Sequence, residues 1–95
     1  MELTKFDISD YLDSNEMIAE YLNEVLENGN ENDLVTAIGH VAKAIGMTKI
    51  AEKSGLSRPS LYKAFSDGAK PQFSTIMKVL KAVGGQVSVN PIQAQ

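Results

Sequence analysis

The sequence predicts an all-α protein: a five-helix bundle containing a helix-turn-helix, followed by a short C-terminal strand or an extended tail. Three observations carry this. Apolar residues recur at spacings of three and four in successive windows, which puts them on one face of a helix each time. The windows are separated by glycines, prolines and capping side chains, the residues that start and stop helices. Alternation with period two, the mark of a strand, is confined to QVSVNP near the end.

In DSNEMIAEYLNEVLENG, residues Met17, Ile18, Tyr21, Leu22, Val25 and Leu26 form the buried face of a first helix. Asp13 followed by Glu16 fits a capping box, and Gly29 a left-handed stop. Glu16, Glu20, Glu24 and Glu27 fall on the adjoining arc as one acidic ridge, whose mutual repulsion costs a little helix stability. A second helix runs from about Asn32 or Asp33 to Ile45, with Leu34, Ala37, Ile38, Val41, Ala42 and Ile45 inward and Gly46 at its end; His40 lies off that stripe, as a surface or boundary residue. MTKIAEKSG makes a two-turn third helix, with Thr48 as cap, Ile50 and Ala51 inward and Gly55 as stop. GLSRPSLYKAF holds the fourth, and SDGAKPQ is a turn. FSTIMKVLKAVGG makes the fifth, with Phe73, Ile76, Met77, Leu80 and Val83 on one face.

Composition excludes several functions. The 95 residues suit one domain with one modest core. Without cysteine there is no disulfide and no thiolate chemistry, and the single His40 cannot assemble a metal cluster without converging carboxylates. The N-terminus MELTKFDISD has neither a basic stretch nor an apolar core of the leader type, and no apolar run approaches the ~18 residues of a membrane span. A cytoplasmic protein with no membrane partner is expected. No glycine-rich phosphate loop, nucleophile elbow or acid pair points to catalysis, so neither an enzyme nor a cofactor is expected.

The formal charge of -3 conceals a division: residues 1–33 carry -9 and residues 34–95 carry +6. A chain divided this way has two faces suited to different partners, one anionic and one cationic. The expected organisation is an acidic N-terminal helical segment over 1–31, packed on the same domain, a helix-turn-helix DNA-binding domain over 32–85, and a strand or tail over 86–95.

Two short helices joined by a few residues containing glycine outline a helix-turn-helix. Ala51 stands four residues before Gly55, so only a methyl lies where the helices cross, and Gly55 accepts the positive φ of the turn. Leu56, Leu61 and Ile50 supply the apolar contacts; Ser57 caps the next helix, and Pro59 sits in its first turn, where a missing N–H costs nothing. The outward face is then Arg58, Ser60, Tyr62 and Lys63, with Ser66 at its end and no acid. Such a helix fits the major groove of double-stranded DNA, where an arginine addresses guanine bidentately. Ser57 and the N–H groups around it suit a phosphate, and Thr48, Lys49, Lys53 and Lys70 flank the motif.

IAEKSGLSRPSLYKAFSDGAKPQFSTIMKVLKAVG resembles the lambda-repressor-like (Xre) helix-turn-helix domain. With FDISDYL, EMIAEYLNEVLENG and GHVAKAIGMTKIAEKSGLSR, residues 6 to 90 resemble addiction-module antidote proteins of the HigA type. The resemblance implies an antitoxin that neutralises a small basic toxin of the RelE/ParE superfamily and represses their shared promoter. It also implies base readers at Arg58, Pro59, Ser60, Tyr62 and Lys63, of which Pro59 offers apolar contact alone. The acidic ridge, as Glu16, Glu20, Tyr21, Glu24 and Glu27, is the expected toxin-binding face. A stand-alone Xre-family repressor without a toxin, or a pure protein-interaction module, stays open on the residues alone. One such domain touches few base pairs, so a homodimer on a two-fold site is expected, with QVSVNP or the fifth helix as interface.

Overall fold

The computed structural model describes residues 14–92, and among them the chain forms five helices and no strand. These are α1 (Asn15–Asn28), α2 (Glu31–Ile45), α3 (Met47–Ser54), α4 (Arg58–Ala64) and α5 (Phe73–Ala82). Asp13 lies outside the described residues. The cap seen on α1 is its neighbour, Ser14, whose hydroxyl accepts from the Met17 N–H at 3.1 Å. Gly29 closes α1 with φ −119°, an ordinary extended value rather than a left-handed one. What its missing Cβ provides is room, because the Asp33 carboxylate occupies that space.

α2 begins earlier than its apolar stripe indicates. Asn30 and Asp33 form a reciprocal capping box: the Asn30 side chain accepts from the Asp33 N–H at 2.9 Å, and Asp33 accepts from the Asn30 N–H at 3.0 Å. The chain then bends by 108° at Gly46 into α3. α2 is the central helix: α1 packs on one side of it, α3 and α5 on others, and α4 is held through α3. Its Ala37, Ile38, Val41 and Ala42 share one buried core with Met47 and Ile50 of α3, Leu61 of α4, and Val79, Ala82 and Val83 at the end of α5. Ile18 and Leu22 of α1 join the same core. Removing a Leu- or Ile-sized side chain from water is worth about 1.5–3 kcal/mol, so these contacts hold the short helices in place.

The apolar stripes run further than the burial does. Leu26 is 57% exposed and Phe73 73% exposed, although periodicity assigns both to inward faces. Leu26 lies in the last turn of α1, and Phe73 is the first residue of α5. In α5 the buried residues are Val79 and Ala82, joined by Val83 at its C-terminal cap, with Ile76 and Leu80 packed against them. Gln86–Ile92 is irregular, so the alternation in QVSVNP has no strand partner here. No helix among the described residues is long and apolar enough to cross a membrane.

Candidate functional site

The turn and the helix ends of the α3–α4 pair are fixed by local hydrogen bonds. Gly55 has φ 80°, ψ 8°, the left-handed conformation that ends α3, and its N–H donates to the Ala51 carbonyl at 2.9 Å. The Ser54 hydroxyl tightens the same turn by accepting from the Leu56 N–H at 3.2 Å. Ser57 caps α4 and accepts from the Ser60 N–H at 3.2 Å, while its own hydroxyl donates to the Ser60 oxygen at 2.9 Å. Arg58 and Pro59 occupy the first turn. At the other end the Ser66 hydroxyl donates to the Lys63 carbonyl at 2.9 Å. Leu61, fully buried, is the anchor beneath the helix.

Arg58, Pro59, Ser60, Tyr62 and Lys63 are all exposed on α4. The Arg58 guanidinium lies over the Tyr62 ring, 5.9 Å from its centre, within the range of a cation–π contact. This restrains the fork on the outer side of the helix. Ser60 and Lys63 line an open groove of about 630 Å³ together with Lys70 of the following turn and Thr75 of α5. Thr48 and Lys49 are exposed in the first turn of α3. Thr48 is not the cap: Gly46 holds that position and no side chain bonds the turn, so the initial N–H groups of α3 have no side-chain acceptor. Glu52 is the one exposed acid on α3, and α4 has none.

Two positioning features escape a motif search. Gly39 is buried inside α2, and a Cβ added there would stand 3.0 Å from the Phe65 Cβ. Glycine therefore lets Phe65, the C-terminal cap residue of α4, seat against α2. A glycine inside an otherwise apolar helical pattern is the signal that marks such a close approach. Lys43 of α2 lines a second groove with His40, Phe65 and Lys70, so Lys70 stands between α2 and α4. No local pattern connects Lys43 to Lys70.

On the far helix, Glu16, Glu20, Glu24 and Glu27 are all exposed, as a ridge requires. Tyr21 is half-buried and packs on the core. With Glu24 and Val25 it also lines a groove of about 570 Å³ between α1 and α2, whose other wall includes Asp33, Ala37 and His40. The acidic ridge thus borders a partly apolar groove.

Fold and surfaces together describe a small all-helical protein with two separate charged faces, one acidic on α1 and one basic on α3–α4. Residues 2–91 match the family described as probable addiction module antidote proteins, and the chain belongs to that family. An uncharacterized protein of Haemophilus influenzae is 43% identical over 88 residues, covering 93% of this chain and 91% of its own length. No solved structure matches the chain.

Proposed function

We propose that this protein is the antitoxin of a type II toxin–antitoxin module, of the HigA type, which binds a toxin of the RelE/ParE superfamily and represses their promoter through α3–α4 acting as an Xre-type helix-turn-helix. Membership of the antidote family implies a cognate toxin. The observation that carries the DNA reading is the acid-free outer face of α4, where Arg58 is restrained against Tyr62 and flanked by Ser60 and Lys63. In the major groove, Arg58 addresses guanine O6 and N7 through its fork, and restraint on the ring lowers the entropy lost on contact. Lys49, with the uncapped N–H groups of α3, and Lys70 suit the flanking phosphates. The protein acts in the cytoplasm by binding alone, without catalysis, and pairs as a homodimer to match a two-fold operator.

The toxin face is the α1 ridge. Its glutamates attract a basic protein, and the bordering groove offers apolar surface for the contact. The test is a promoter gel shift run beside growth rescue in cells expressing the toxin. Arg58→Ala should weaken promoter binding by about 1–3 kcal/mol and relax preference at one base position per half-site, while rescue is retained. Promoter binding at parental strength by both Arg58→Ala and Lys63→Ala would mean that α4 is not the reading helix.

A further inference from the structure

A further groove, of about 320 Å³, lies where the start of α1 meets the ends of α2, α3 and α5. Its floor is apolar, with Ile18, Ile45 and Val83. Lys53 and Lys81 also line it, both exposed, and among the described residues no carboxylate does. The start of α1 is pinned at its edge. Gly84 has φ 98°, and the Asn15 side chain occupies the space where a Cβ on Gly84 would stand. Asn15 itself lines the groove, so residues 1–13, which lie outside the described residues, join the fold there.

The composition of that segment matches the groove. Residues 1–13 carry the acids Glu2, Asp7, Asp10 and Asp13, a single base, Lys5, and the apolar Phe6, Ile8, Tyr11 and Leu12. Tyr11 and Leu12 are within four residues of Asn15, so each Cα lies within about 14 Å of it even at full extension. A tether that short gives an effective concentration of roughly millimolar order, enough to fill a site of weak intrinsic affinity. Other occupants fit less well. A basic protein is repelled by the two lysines, and a phosphate backbone has no apolar group to set on Ile18 and Ile45.

We propose that residues 1–13 dock in this groove as an acidic strap, with Tyr11 and Leu12 on the apolar floor and Asp10 and Asp13 toward Lys53 and Lys81, and that the strap withholds both lysines from polyanions. Attraction to nucleic acid of any sequence scales with the number of lysines and arginines that can meet phosphates. Covering two of them lowers it. The strap acts on charge outside α4, and its docking depends neither on which bases α4 reads nor on what the α1 ridge binds.

The experiment uses the whole chain. Because the chain has no tryptophan, Tyr11→Trp places a single indole in the strap. Its emission should be blue-shifted, and its quenching by acrylamide several-fold slower than in the Lys53→Glu/Lys81→Glu background, at every protein concentration. The control Lys43→Glu/Lys78→Glu, an equal charge change outside the groove, should keep the protection. All four lysines are exposed, so helical circular dichroism should match throughout. On a DNA duplex of unrelated sequence, Asp10→Asn/Asp13→Asn should bind more tightly, with a salt slope steeper by up to ~0.9 for each lysine released. The same two substitutions in a Lys53→Gln/Lys81→Gln chain should leave the slope unchanged. The proposal is overturned by an indole open to quencher in the Tyr11→Trp chain, or by protection that survives reversal of Lys53 and Lys81, is lost in the control or arises only at high concentration. A slope that does not steepen, or steepens equally in both backgrounds, overturns it as well. None of these results touches the role of Arg58, so failure here is distinguishable from failure of the DNA reading.

Discussion

α1 and α4 both present an exposed polar face, and they are held in opposite ways. α1 has 14 residues, one side-chain cap at Ser14, and four glutamates along its outer face. α4 has seven residues and a single fully buried side chain, Leu61. A helix as short as α4 does not persist alone in water. It depends on Ser57 and Ser66 at its ends, on Leu61 below, and on Phe65 seated at Gly39. α1, with more turns and with Ile18 and Leu22 in the core, tolerates its row of like charges. The lesson is that the outer face of α1 is chemically free, whereas on α4 the positions of the outer side chains are set by the inner contacts.

That contrast breaks most severely at Leu61. Leu61→Ala should cost about 2–5 kcal/mol, a large share of the 5–15 kcal/mol typical of a domain, and should abolish promoter binding and toxin rescue together. Leu26→Ala, on the exposed end of α1, should change stability by less than about 0.5 kcal/mol. Urea unfolding compares them, and equal losses would show that α4 is not anchored by Leu61.

The next effect separates the two faces rather than removing both. Changing Glu16, Glu20, Glu24 and Glu27 to lysine turns an attractive face into a repulsive one, at a cost of several kcal/mol across an interface with a basic protein. Growth rescue should fail while the gel shift on the promoter persists. Rescue by the folded four-lysine variant would remove α1 as the toxin face and shift attention to the C-terminal half.

The smallest effect sharpens the account of α4 itself. Ser57→Ala deletes the cap that accepts from the Ser60 N–H and should lower stability by about 1 kcal/mol, with a parallel weakening of promoter binding because Arg58 and Ser60 share that first turn. Ser57→Thr, which keeps the hydroxyl, should recover most of it. Thermal melts alongside titration of promoter DNA give both readings; equal melts for Ser57→Ala and the parent would mean the cap is idle.

Much of the α3–α4 pair is legible in the sequence, because its determinants are local. A stop at φ 80° favours glycine, and Gly55 is there. Serine ahead of a proline-containing first turn is a cap, and Ser57 is one. The four glutamates are exposed because their spacing keeps them off the apolar stripe. Legibility falls where neighbouring residues compete for the same capping position. Asp13 and Ser14 are both competent caps, and Thr48 stands in a first turn that Gly46 caps with backbone alone.

The sequence by itself determined which face of each helix is apolar and where most helices stop, since periodicity and the steric freedom of single residues act within a few positions. It did not determine how far along each face burial extends. Phe73 and Leu26 follow the periodic rule and stand in solvent, while Val79 and Gly39, separated by most of three helices, are buried. Periodicity encodes the direction of a side chain; whether anything lies in that direction depends on the length and crossing of the neighbouring helix. The same holds for Lys43 and Lys70, brought to one groove only because the chain bends at Gly46 and α4 docks through Phe65 on α2. Tertiary structure decided these features because each needs two distant segments to meet.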